Sequence, residues 1–74
     1  MAPRVTVYVA PGCHLCGPAL QVVRAVCGDR FELVDITSDT ELERRYRELI
    51  PLVKVDGVER FRYEVAEDDL REIL

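Results

Sequence analysis

Cys13 and Cys16 lie three residues apart in the run Ala10-Pro11-Gly12-Cys13-His14-Leu15-Cys16-Gly17-Pro18, and their spacing is the one in this chain that could do chemistry. A Cys-x-x-Cys pair offers one thiol to attack and a second, close enough to close a short disulfide ring, to resolve what the first has bound. The residues before it, Val5-Thr6-Val7-Tyr8-Val9, are β-branched and aromatic, whereas Leu15, Ala19, Val22, Val23 and Val26 behind it recur at helical spacing. The pair therefore falls where a strand gives way to a helix. The first turn of a helix carries unpaired backbone N–H groups and the positive end of the macrodipole, both of which stabilise a thiolate. With Cys13 as the first helical residue, its thiol is expected to be the more acidic; free cysteine titrates near about 8.5, and thiols in this setting fall to roughly 3.5 to 7.5. Cys16 is expected on the same helical face, one turn on.

The chain has 74 residues, 10 of them basic and 14 acidic, for a net charge of −4. That length suits one small domain spanning 1–74. The acidic balance gives no electrostatic footprint for nucleic acid or for an anionic membrane surface, so neither is expected as a partner, and a monomer is expected. Neither a secretory signal nor a membrane span is read at the N-terminus, which points to a cytoplasmic, reducing setting. There, three cysteines indicate redox or metal chemistry rather than a structural disulfide framework.

The supporting elements follow in order. Arg4 to Val9 reads as a central strand, apolar on both faces. The helix after it should run to about Cys27 and close at Gly28-Asp29. Pro18 then falls in its second turn, where it cannot donate to the His14 carbonyl, so a loosened first turn is expected. Phe31 to Asp35 is a second strand, parallel to the first by a right-handed crossover. Ser38-Asp39-Thr40-Glu41 reads as a capping box opening a helix from about Asp39 to Glu48 or Leu49, with Leu42, Tyr46 and Leu49 buried and the charged residues between them solvated. Asp56-Gly57 between Leu52–Val55 and Val58–Tyr63 signals a type I′ hairpin. A last helix from about Asp68 to Leu74 takes Asp68 or Glu67 as cap and turns Ala66, Leu70, Ile73 and Leu74 to the sheet. The order is βαβαββα.

Val-Tyr-x-x-Pro-Gly-Cys-x-x-Cys, a later Ile50-Pro51-Leu52-Val53, and then a hairpin and a terminal helix together resemble a glutaredoxin of the thioredoxin superfamily, and in particular the small glutaredoxin-like proteins that carry Cys-His-Leu-Cys. The resemblance covers nearly the whole chain. It implies an α/β thioredoxin-like fold with a four-stranded mixed sheet flanked by helices. It implies Cys13 as nucleophile, Cys16 as resolving thiol, Pro51 as a cis-proline facing the dithiol, and Ile50 as the residue whose backbone bonds a thiol substrate. Asp68 and Asp69 match the acidic pair that meets the glutathione amino group, although the same two residues suit a helix cap and first turn. Two departures bear on glutathione: glutaredoxins that bind it carry a basic residue shortly before the first cysteine, where this chain has Ala10, and a Gly-Gly turn, where it has Val65-Ala66.

The activity expected is thiol–disulfide exchange on protein disulfides or glutathione mixed disulfides. The pair would be reset by glutathione, as co-substrate, or by a thioredoxin-type reductase; no bound cofactor is expected. An imidazolium at His14 would favour the Cys13 thiolate and make the disulfide more oxidising. The alternatives are an iron–sulfur or metal carrier and a non-catalytic thioredoxin-fold binding module. A zinc site needs four ligands, and no metal is expected. Cys27 is 11 residues beyond Cys16, about 16 Å along a helix, too far to join it. Cys27 reads as a small apolar residue of the helix end, and Tyr8 and Tyr63 as packing residues.

Overall fold

A computed structural model describes residues 3–74. The β-branched run Val5–Val9 forms strand β1, and Cys16–Cys27 forms helix α1. Glu32–Asp35 is β2, Thr40–Tyr46 is α2, Leu52–Val55 is β3, Val58–Arg62 is β4 and Glu67–Ile73 is α3, with a short 3₁₀ turn at Ile36–Ser38 before α2. The four strands make one sheet in the order β2-β1-β3-β4. β1 runs parallel to β2 and antiparallel to β3, with Tyr8 opposite Leu52, and β3 pairs antiparallel with β4. This is the α/β thioredoxin-like fold, with the βαβαββα order that the sequence implies.

Period-two alternation sends the side chains of β1 and β3 to two different cores. Val5, Val7, Val53 and Val55 pack with Ala19 and Val23 of α1 and with Val65 and Leu70 beneath α3. On the opposite face Leu52 packs with Ile36 and Tyr46, and Tyr8, Ala10, Leu42, Leu49 and Ile50 close around them. Tyr8 and Tyr46 stack with ring centroids 4.6 Å apart. The Lys54 ammonium lies over both rings and donates to the Tyr46 hydroxyl at 2.9 Å. That bond holds the Tyr46 phenol below its usual titration range and the Lys54 ammonium above its own.

The hairpin turn is as read: Asp56 and Gly57 take φ of 53° and 82°, the pair of positive values that a type I′ turn requires. Helix termini depart from the sequence reading. The cap of α2 is Asp39, whose carboxylate accepts from the Glu41 N–H at 2.8 Å, and not Ser38. Ser38 belongs to the preceding 3₁₀ turn, where its hydroxyl donates to the Asp35 carbonyl, while the Asp35 carboxylate accepts from Thr37. The turn capped by Asp35 thus occupies the serine, and the capping box is not made. α2 also ends at Tyr46, short of Glu48 or Leu49, although Leu49 stays packed on the core. In α3 the cap is Ala66, with no side-chain bond, and Glu67, Asp68 and Asp69 fill the first turn. Leu70 is fully buried and Ile73 partly so, but Ala66 and Leu74 face solvent rather than the sheet.

Three outcomes follow from this packing. Leu70→Ala should lower the unfolding free energy by about 2 to 5 kcal/mol, a large share of what so small a domain holds, seen as a fall in the urea midpoint. Asp39→Ala should cost about 1 kcal/mol in the same measurement. Lys54→Met should return the Tyr46 phenol upward toward about 10, read by ultraviolet absorbance against pH.

Candidate functional site

After β1 the chain turns through Pro11 and Gly12, with Gly12 at φ 81°, and the Cys13 N–H donates back to the Ala10 carbonyl at 3.4 Å. A second tight turn follows, in which the Cys16 N–H donates to the Cys13 carbonyl at 3.3 Å. Helix α1 begins only at Cys16, three residues later than the sequence pattern suggests. The reason is Pro18. Its missing N–H would break a bond in a second turn, but as the third helical residue it falls among donors that have no intrahelical partner in any case. The first intrahelical bond runs from the Ala19 N–H to the Leu15 carbonyl at 3.2 Å, one residue past the proline. Cys13 consequently stands in the turn ahead of the helix, not one turn down the same helical face.

The two cysteines are joined as a disulfide, with Cα atoms 5.4 Å apart. Their exposures differ: Cys13 is half-buried, while Cys16 is buried at 5%. Around them no side chain answers the first turn of α1: the Cys16 N–H is taken by the Cys13 carbonyl, Pro18 has none, and the Gly17 N–H has no side-chain partner. α1 has no side-chain cap and no acidic residue in its first turn. The other two helices carry acids there, α2 with the Asp39 cap and Glu41 and Glu43 behind it, α3 with three consecutive acids and no side-chain cap. The positive end of α1 is thus the one left free to act on a neighbouring sulfur.

Antiparallel pairing sets what lies beside this turn. The end of β1 that leads to Cys13 and the start of β3 that follows Pro51 occupy the same end of the sheet. The Ile50–Pro51 peptide bond is cis, as the resemblance implies. Pro51 is buried, and Ile50 packs with Ala10 against the Leu52 core. β4 returns to that end as well, since Leu52 lies opposite Arg62. Between β4 and α3, residues 63–66 face Leu15, Pro18, Ala19 and Val22 of α1 and its cap across a groove of about 370 Å³. Asp68 and Asp69 are exposed in the turn just beyond that groove. His14 is exposed next to Cys13.

The structure therefore gathers Cys13, His14, Cys16, Ile50 and Pro51 at one end of the sheet, with Asp68 and Asp69 at the neighbouring helix start. Cys27 sits at the far end of α1, half-buried against the core, where burial pushes its thiol upward. Among the described residues, no three His, Cys, Asp or Glu side chains converge as a metal site, and no helix is long and apolar enough to cross a membrane.

Two residues of this region escaped the sequence reading. Leu15, taken with the apolar stripe of the helix, is 49% exposed at the lip of the groove. Tyr63, which the sequence marks as a packing residue with groove lining as the alternative, is 42% exposed on the groove's other wall. A break in the alternation of β4 is the only signal the sequence carries for it. Val65, one of the two residues standing where glutaredoxins have Gly-Gly, is a core residue, and the left-handed backbone of this turn falls at Tyr63, φ 72°.

Solved structures share this fold. The X-ray structure of target protein XcR50 from X. campestris is 25% identical, covers 93% of this chain and 92% of its own, and superposes with a TM-score of 0.77. Protein Ne2328 from Nitrosomonas europaea, at 24% identity, covers all of this chain and 93% of its own with a TM-score of 0.72, a likeness of fold. The thioredoxin of Fasciola hepatica is 25% identical, with a TM-score of 0.62 over 96% of this chain and 76% of its own. No curated protein matches the sequence significantly. The model of the glutaredoxin-like domain (DUF836) matches residues 4–74, nearly the full length, and with the disulfide at the start of α1 and the cis-proline at the same end of the sheet, the chain belongs to that family.

Proposed function

We propose that this protein is a dithiol–disulfide oxidoreductase that reduces protein disulfides or glutathione mixed disulfides. The observation that carries this reading is the Cys13–Cys16 bond at a helix start with no side-chain cap and no acid, with Cys13 half-buried and Cys16 buried. An attacking thiol needs access and a stabilised anion, whereas a resolving thiol needs only to reach the first.

In the reduced protein the Cys13 thiolate attacks one sulfur of a substrate disulfide. The substrate S–S bond breaks, a Cys13–substrate disulfide forms, and the displaced thiolate takes a proton from solvent. Cys16, losing its own proton, then attacks the Cys13 sulfur and expels the second substrate thiolate. Two electrons have passed to the substrate, and the protein is left with the Cys13–Cys16 disulfide. A separate thiol reductant, glutathione or a thioredoxin-type reductase, restores the dithiol.

The remaining residues take supporting parts. The backbone of Ile50, fixed by the buried Pro51, pairs with the substrate chain beside its disulfide. His14, exposed beside Cys13, adds charge in favour of the Cys13 thiolate when protonated. Asp68 and Asp69 attract the amino group of glutathione. A reducing, cytoplasmic setting and a monomeric chain suit this cycle.

Cys13→Ser should abolish turnover, whereas Cys16→Ser should still attack and accumulate the mixed disulfide, visible as an adduct by intact-protein mass spectrometry. Equal residual turnover in both variants would refute the assignment. Asp68→Asn with Asp69→Asn should raise KM for a glutathione mixed disulfide about two- to fivefold with kcat unchanged, the range for exposed charge pairs; an unchanged KM would remove both acids from the site.

A further inference from the structure

Tyr63 combines three features that packing does not require. Its φ of 72° is in the left-handed region that side chains other than glycine rarely adopt. Its N–H donates to the Pro51 carbonyl at 2.7 Å. Its hydroxyl, reaching back across the end of the sheet, donates to the Glu48 carbonyl at 2.9 Å. One residue thus grips the segment 48–51 at both ends, with Ile50 between the two grips. The same ring forms a wall of the groove opposite Leu15 and Pro18, immediately behind the cysteine turn.

Besides the buried Pro51 and the core packing of Leu49 and Ile50, the backbone of this segment has few bonds of its own. α2 has ended at Tyr46, and the Leu49 N–H bonds only back to the Tyr46 carbonyl, at 2.9 Å. Arg47 and Glu48 are exposed. The core contacts of Leu49 and Ile50 hold their side chains but leave the carbonyl of Glu48 to be satisfied by the Tyr63 hydroxyl.

We propose that Tyr63 is a positioning residue of the site, a clamp that fixes the backbone of residues 48–51 and so presents Ile50 to an extended polypeptide substrate lying past Cys13. The left-handed backbone at Tyr63 is what turns the N–H toward Pro51 while the ring stays in the groove wall. This inference rests on the thiol–disulfide reading for its effect on rate, but the clamp itself is a property of the fold. Its signature is selectivity. A peptide disulfide uses the Ile50 backbone and depends on the clamp; a disulfide with no peptide groups, such as 2-hydroxyethyl disulfide, meets only the sulfurs and does not.

The test compares wild-type protein with Tyr63→Phe, which removes only the hydroxyl, and Tyr63→Gly, which keeps the turn, since glycine takes this φ freely, but loses ring and hydroxyl. Amide hydrogen exchange is measured by NMR, and single-turnover reduction by the pre-reduced protein is measured with a short peptide disulfide and with 2-hydroxyethyl disulfide. In Tyr63→Phe the amides of residues 49 and 63 should exchange about three- to tenfold faster, and the rate on the peptide should fall by a similar factor, as the loss of one hydrogen bond allows. Tyr63→Gly should lose more on the peptide, and the rate on 2-hydroxyethyl disulfide should stay within about twofold in both variants. Unchanged exchange at residues 49 and 63, or an equal fall on both substrates, would overturn the proposal. If the wild-type protein reduces neither substrate, the oxidoreductase reading fails, and exchange alone decides the clamp: faster exchange in Tyr63→Phe upholds it, and unchanged exchange overturns it.

Discussion

The antiparallel pairing of β1 with β3, Tyr8 opposite Leu52, is the constraint on which everything else depends. Two segments that the chain separates by more than thirty residues, the cysteine turn and the Ile50–Pro51 bond, reach the same end of the sheet because each is attached to one of these paired strands. The pairing also divides the molecule into its two cores. Valines of β1 and β3 point to α1 and α3, and the residues between them point to Ile36 and Tyr46. A register slip of one residue would exchange those faces, sending Lys54 into the valine core, and so the burial of both faces fixes the alignment of the site as well as the fold.

At that end, charge is distributed unevenly. Acids occupy the first turns of α2 and α3 and are missing from the first turn of α1. A carboxylate there would stabilise the helix by a few tenths to about 1 kcal/mol, but it would compete for the same donors and repel a sulfur anion. Leu15 at the cap and Pro18 in the first turn have the same consequence: neither side chain answers a backbone N–H. The dithiol's surroundings are therefore less favourable to the isolated helix and more favourable to a thiolate. Cys27, at the opposite end of the same helix, has burial without a positive helix end, and its thiol is pushed upward.

Much of this was legible in the sequence, because the strongest signals are short and local. The β-branched runs, the Asp56-Gly57 turn and the apolar spacing of α1 each act through neighbours a few residues away, and they suffice for the element order. The cis bond before Pro51 was legible only through resemblance to glutaredoxins, since an X-Pro bond on its own favours trans. Helix starts were misread where two local solutions competed. Ser38 fits a capping box, but its hydroxyl bonds Asp35 in a 3₁₀ turn instead; Cys13 fits a helix start, but Pro18 moves that start to Cys16. Tyr63 was legible only as an aromatic residue that packs or lines a groove, and its role as a bond donor to segment 48–51 was not. An aromatic residue after an alternating strand gives no hint of a left-handed backbone, which is held by bonds to Pro51 and Glu48 made only once β3 and β4 are paired.

The central claim is that the start of α1 makes Cys13 an accessible thiolate at neutral pH. The most direct measurement is the rate of alkylation of Cys13 by iodoacetamide against pH in the fully reduced protein, resolved from Cys16 and Cys27 by peptide mass spectrometry. The account predicts a midpoint at least one unit below the value of about 8.5 for a free cysteine, with Cys13 reacting ahead of the other two. A midpoint at or above that value, or preferential reaction at Cys27, would contradict it.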